Sequence, residues 1–82
     1  MDSSAAQMID FLLKNVIHDP ELEIDEDTPL VSTGLVDSFA LVEVLVELER
    51  VTRRRIPTGR ISPQDLNTIR QMLAVVERWG QS

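Results

Sequence analysis

The chain has 82 residues, 43% of them apolar, with a net charge of −6 and no cysteine. That length supports one domain, residues 1–82, with a single modest core and no second lobe, and the missing cysteine excludes disulfides and thiolate metal sites. No apolar run reaches the length of a membrane span, and the N-terminus lacks the basic start and apolar core of a secretion signal, so a cytoplasmic protein is expected.

Ser3 or Ser4 is placed to cap a first helix, in which Ala5, Met8, Ile9, Leu12 and Val16 recur at three- and four-residue steps as one apolar stripe. Pro20 limits that helix, because its ring cannot continue the hydrogen-bond ladder. Residues 19–37 follow as a long acidic connection punctuated by Pro29 and Gly34. A loop of that length is functional or anchored, and Ile24, Leu30, Val31 and Leu35 are the predicted anchors. A second helix runs from about Ser38 to Thr52, with Leu41, Val44, Leu45, Leu48 and Val51 on its buried stripe. Ala40, Glu43 and Glu47 fall on another face, with Val42 and Val46 at its edge. Arg53, Arg54 and Arg55 stand at its C-terminus, where cations meet the negative end of the helix dipole. Ile56-Pro57-Thr58-Gly59 breaks the chain. Ser62-Pro63 opens a short third helix through Leu66. Asn67 or Thr68 caps a last helix containing Ile69, Met72, Leu73, Val76 and Trp79, stopped by Gly80. No period-2 alternation persists, so the predicted fold is all-α, a four-helix bundle of three longer helices and one short one with a long first loop.

Charge is unevenly distributed. Residues 19–49 hold ten acids and no Lys or Arg, whereas residues 50–82 hold seven arginines against Asp65 and Glu77. An acidic loop and helix repel nucleic acid and phospholipid and attract basic protein surfaces. No nucleic-acid partner is therefore expected, and the Arg53–Arg55 run reads as a solvated helix end. Nor do the residues support catalysis. His18 is the only histidine and has no serine spaced to form a nucleophile site. The acids from Glu21 to Asp27 lack the central glycine and the bidentate glutamate of an EF-hand, so no metal site is expected.

Ser38 stands apart. An ordinary N-cap serine is one reading, a role worth about 1 kcal/mol. Its neighbours suggest another. Gly34 can take a positive φ for a tight approach to the helix. Asp37 sets a carboxylate beside the hydroxyl, suited to a divalent ion that also grips an incoming pyrophosphate. The free amides that open the helix favour a phosphodiester on that oxygen.

Thr28-Pro29-Leu30-Val31-Ser32-Thr33-Gly34-Leu35-Val36-Asp37-Ser38 resembles the Thr/Ser-x-Leu-x-x-x-Gly-Leu-x-Asp-Ser pattern of the acyl and peptidyl carrier proteins. The likeness continues through Leu41-Val42-Glu43-Val44-Leu45, Ile56-Pro57 and Thr68-Ile69, and so covers essentially the whole chain. It implies a stand-alone, acyl-carrier-like bundle that is not an enzyme but the substrate of a phosphopantetheinyl transferase. That enzyme would move 4′-phosphopantetheine from coenzyme A onto Ser38, with Asp37 assisting. The arm would hold acyl, aminoacyl or peptidyl intermediates as thioesters in lipid or natural-product biosynthesis, polyketide and nonribosomal peptide pathways included. The implied partners are the transferase, a loading (adenylation) enzyme and condensing or acyltransfer enzymes, met by a monomeric carrier. Phe39, Val42 and Val46 would form the apolar patch that partners read, and Glu43, Glu47 and Glu49 its acidic rim. Arg50 and the triple arginine after it depart from the acidic face of the fatty-acid carriers, whereas Val36 in the turn and Phe39 after the serine look more like stand-alone peptidyl or aminoacyl carriers, including the D-alanyl carrier type. The alternative from another class is a non-catalytic helical adaptor, or degenerate carrier, that never receives the arm.

Overall fold

The computed structural model describes residues 3–81 and is helical, without strands among those residues. Helix α1 spans Ser3–Phe11 and continues as a widened π-helical turn over Leu12–Val16, where the Ile17 amide reaches back to the Leu12 carbonyl at 2.7 Å. Because α1 already includes Ser3, the residue that caps it lies outside the described residues. The turn closes with His18 in the left-handed region (φ 60°), two residues ahead of Pro20, and with the Asp19 amide donating to the Leu13 carbonyl. Helix α2 spans Ser38–Thr52 and helix α3 Ile69–Trp79, and α1 packs against both. The expected short helix is a 3₁₀ turn, Pro63–Leu66, capped by Ser62 with Asp65 reciprocating; a second 3₁₀ turn, Thr58–Arg60, follows Pro57. Helix α3 is capped by Thr68, whose hydroxyl accepts from the Gln71 amide while the Gln71 side chain accepts from the Thr68 amide.

The apolar stripes meet in one core. Ala5, Met8 and Leu12 come from the first helical segment, Leu41, Val44 and Leu48 from α2, and Ile69, Met72 and Val76 from α3, with Leu30, Val36, Ile56 and Leu66 supplied by the connections. Leu30 is the fully buried anchor of the first loop, whereas Ile24, Val31 and Leu35 are half-buried against the same core. Helix-stripe neighbours at the margin, Ile9, Val16, Leu45, Val51 and Leu73, are also half-buried. Gly80 ends α3 with ordinary dihedrals (φ −64°); a Cβ there would stand 2.3 Å from the Val76 carbonyl oxygen, so glycine permits the close approach that ends the helix.

The long loop is held by polar contacts that apolar periodicity does not signal. The Asn67 side-chain oxygen accepts from three consecutive amides, Leu30, Val31 and Ser32, at 3.2, 2.8 and 2.9 Å. Its backbone carbonyl also accepts from the Leu30 amide at 2.7 Å. Nearby, the Arg70 guanidinium donates to both carboxylate oxygens of Asp27 at 2.6 and 3.1 Å, while the Arg70 amide donates to the Glu26 carbonyl. Asp25 folds the loop on itself by accepting from the Asp27 amide and the Thr28 hydroxyl. The acids of this run are thus partly structural.

Two expectations follow from these ties. Asn67→Ala leaves the Val31 and Ser32 amides without their acceptor, while Leu30 keeps the Asn67 backbone carbonyl, and should lose about 1–3 kcal/mol in urea denaturation, whereas Asn67→Asp keeps the oxygen and should recover most of that loss. Equal losses in the two variants would show that the acceptor is not what holds the loop. The hydrogen bonds and charge of Arg70 hold the Asp27 carboxyl below its usual range. A carboxylate lowered on folding adds stability above its unfolded value, about 3.9, and loses it as pH falls through the lower folded value. The stability gap between the parent and Asp27→Asn should therefore be open at pH 7 and narrow towards pH 3. A gap unchanged across that interval would mean the pair contributes nothing.

Candidate functional site

The approach to α2 begins at Gly34, whose φ of 81° reverses the chain, with the Gly34 amide donating to the Val31 carbonyl. No neighbour lies within 4 Å of a Cβ built there, so the requirement for glycine is one of backbone conformation, not of space. Val36 is then drawn into the core at 1% exposure, and its amide donates to the Leu30 carbonyl. This burial swings the next residues outward. Asp37 takes an extended conformation (ψ 178°) and caps the helix, its Oδ1 accepting from the Ala40 amide at 2.8 Å.

The N-cap of α2 is therefore Asp37, not Ser38. Ser38 is the first residue of the helix proper; it is exposed, and its hydroxyl bonds no described residue. The amides of Ser38 and Phe39 likewise find no acceptor among the described residues. A nucleophilic oxygen thus stands in solvent at the positive end of a 15-residue helix, with two unused donors beside it.

Next to it α2 exposes an apolar stripe. Phe39 is 88% exposed, Val42 64% and Val46 62%, and steps of three and four residues put them on one helical face. Sequence periodicity placed both valines at the edge of a face; the structure sets them fully outside the core. The acids around them differ in circumstance. Glu43 is exposed and unpaired among the described residues. Glu47 is engaged by the Arg50 guanidinium at both oxygens, and those bonds hold its carboxyl below the usual range. Glu49 accepts from the Ile56 amide at 2.8 Å and so fixes the chain as it leaves α2. The site's acidity rests on Asp37 and Glu43 more than on Glu47 or Glu49. Glu49's backbone bond, made across seven residues, has no signature in helical spacing.

The family described as the phosphopantetheine attachment site matches residues 9–76, most of the chain and all of this site. The chain belongs to the phosphopantetheine attachment site family. It is also 28% identical over 75 residues to D-alanyl carrier proteins of Streptococcus equi subsp. zooepidemicus (strain MGCS10565) and Streptococcus equi subsp. equi (strain 4047), covering 92% of each chain. No solved structure matches it. Membership identifies a carrier protein, a class without catalytic activity of its own, and its cofactor as covalently attached 4′-phosphopantetheine.

The residues present suit that group. A phosphodiester needs an accessible hydroxyl and donors for a negative charge, and the structure supplies the exposed Ser38 oxygen and the Ser38 and Phe39 amides. Asp37 holds the helix end in place through one carboxylate oxygen and leaves the other without a described partner. Among the described residues no cluster of three or more His, Cys, Asp or Glu is placed to hold a metal ion, and no helix is long and apolar enough to cross a membrane.

Proposed function

We propose that Ser38 is the attachment point of the 4′-phosphopantetheine arm and that the chain carries aminoacyl groups between enzymes. The observation that carries this reading is the exposed Ser38 hydroxyl, released from capping by Asp37. When bound, the arm supplies a terminal thiol able to hold a carboxylic acid as a thioester. Ser38 would present its oxygen to a phosphopantetheinyl transferase, forming the phosphodiester as the pyrophosphate bond of coenzyme A breaks, adenosine 3′,5′-bisphosphate leaves and the hydroxyl proton passes to the transferase; the free oxygen of Asp37 would help hold the divalent ion that this transfer uses. Phe39, Val42 and Val46 then meet apolar surfaces on the transferase, the loading enzyme and the acyltransfer or condensing enzymes. Glu43 adds charge that steers encounters with basic partner patches without tightening them, which suits a carrier that must let go.

The aminoacyl cargo is supported by the name of the relatives, D-alanyl carrier protein, and by Val36 and Phe39 at the site. The working compartment on this reading is the cytoplasm, where coenzyme A and adenylating enzymes meet the carrier. Loading is the test. The pantetheinylated protein, offered to an amino-acid-adenylating enzyme with ATP and D-alanine, should gain the mass of one alanyl group. Offered to an acyl-adenylating enzyme with long-chain fatty acids, it should gain none. The opposite pattern would assign a fatty-acyl cargo instead.

A further inference from the structure

We infer that the end of the molecule formed by the C-termini of α2 and α3 is a second docking surface, one that takes an Asp- and Glu-rich segment of a partner protein. Five exposed arginines meet there. Arg53, Arg54 and Arg55 leave α2, and Arg55 pairs its backbone with Gln81 through bonds of 2.7 and 2.8 Å. The Arg54 side chain lies over Gly80, its Cδ 3.0 Å from where a Cβ on that glycine would stand. Arg60 and Arg78 each set a guanidinium over the Trp79 ring, 5.1 and 5.3 Å from its centre. Arg60 follows Arg55 by five residues and Arg78 by twenty-three; the fold sets both on Trp79, next in the chain to the Gly80 and Gln81 that Arg54 and Arg55 meet.

These charges are not spent internally. The other two arginines of this half, Arg50 and Arg70, are paired with Glu47 and Asp27, whereas none of the five forms an ion pair among the described residues. Glu49, which lines one cleft with Arg53, Arg54 and Arg55, is committed to the Ile56 amide. Glu77 shares a cleft with Arg54, and Asp65, engaged by Ser62, shares one with Arg78 and Trp79; three acids stand against five cations, so an external anion gains what the fold leaves unmatched.

Three features favour a carboxylate-bearing protein over a membrane or a nucleic acid. Every cation in the cluster is an arginine, whose planar fork matches a carboxylate with two parallel bonds. The net charge of −6 and the acidic segment 19–27 oppose approach to an extended polyanion and tolerate a local acidic patch. Of the large exposed apolar side chains, Phe39 and Val42 stand at the Ser38 end of α2 and Val46 about midway along it, so none stands at the basic end to enter a lipid surface. Helix α2 separates this end from Ser38 by about 20 Å. A partner could therefore hold the protein by its basic end while the serine end stays free.

Trp79 is the only tryptophan and the chain has no tyrosine, so intrinsic fluorescence reports from this end. Titrating the unloaded protein with a short poly-glutamate peptide at about 0.02 M salt should give a saturable change in Trp79 emission. Affinity should weaken about tenfold or more at about 0.2 M salt. An Arg53→Gln/Arg55→Gln double variant should bind about tenfold more weakly, and Lys14→Gln should bind as the parent does. Should the double variant unfold, amide NMR shifts of the parent decide: they should move at residues 53–55 and 79–81. No saturable change at low salt, or shifts confined elsewhere, overturns the inference. So does tighter binding to anionic phospholipid vesicles or single-stranded DNA than to the peptide. Because the protein is unloaded, the outcome is independent of whether Ser38 carries an arm.

Discussion

Ser38→Ala is expected to fold as stably as the parent, within about 0.5 kcal/mol, and to accept no phosphopantetheine at all. Both halves follow from the division of labour at the start of α2. The capping bond belongs to Asp37, whose carboxylate accepts from the Ala40 amide, and the Ser38 hydroxyl bonds no described residue. Alanine is also the best helix former for a first-turn position. The complementary variant, Asp37→Ala, should lose about 1 kcal/mol with the cap and slow loading without removing the acceptor. Thermal melts and intact masses of the two variants check the pair of expectations. If Ser38→Ala were the destabilised one, the serine would be a structural cap after all.

The largest loss of stability is expected at Leu48. Its side chain is wholly buried in the core, so Leu48→Ala removes apolar burial and leaves a cavity, together worth roughly 2–5 kcal/mol. Against a total of about 5–15 kcal/mol for ordinary domains, that is a large share of what so small a core supplies. Leu45 shares the same predicted stripe but is only half-buried, and Leu45→Ala should lose clearly less. Urea denaturation with unchanged slopes measures both. Equal losses at the two positions would place the core differently around α2.

The contrast between Leu45 and Leu48 shows where sequence reading succeeds and where it stops. Helical periodicity selected Met8, Leu12, Leu41, Val44, Leu48, Ile69, Met72 and Val76 because burial of one face is a local consequence of 3.6 residues per turn. It could not rank residues at the stripe's edge, where exposure depends on how the neighbouring helix crosses. The first loop was legible as anchored, and Leu30 does anchor it. Yet the clamp that holds it is Asn67, distant in sequence and read only as a possible cap for α3, because a side-chain oxygen accepting three amides leaves no periodic trace.

The site was more legible than its details. Gly34, Asp37 and Ser38 announce a turn into a helix, and Gly34 does take the left-handed conformation that such a turn uses. Which of Asp37 and Ser38 would cap was not readable, since both residue types cap well. Burial of Val36 decides it by fixing how the chain enters α2. Likewise Glu43, Glu47 and Glu49 look equivalent along the helix, and only the fold separates the exposed one from the two engaged by Arg50 and by the Ile56 amide.

The most direct test is the intact mass of the purified protein after incubation with a phosphopantetheinyl transferase, coenzyme A and magnesium, followed by peptide mapping. A single added phosphopantetheine, located on the peptide containing Ser38 and absent from Ser38→Ala, is the predicted result. A folded protein whose mass does not change, or an adduct on any other residue, would contradict it.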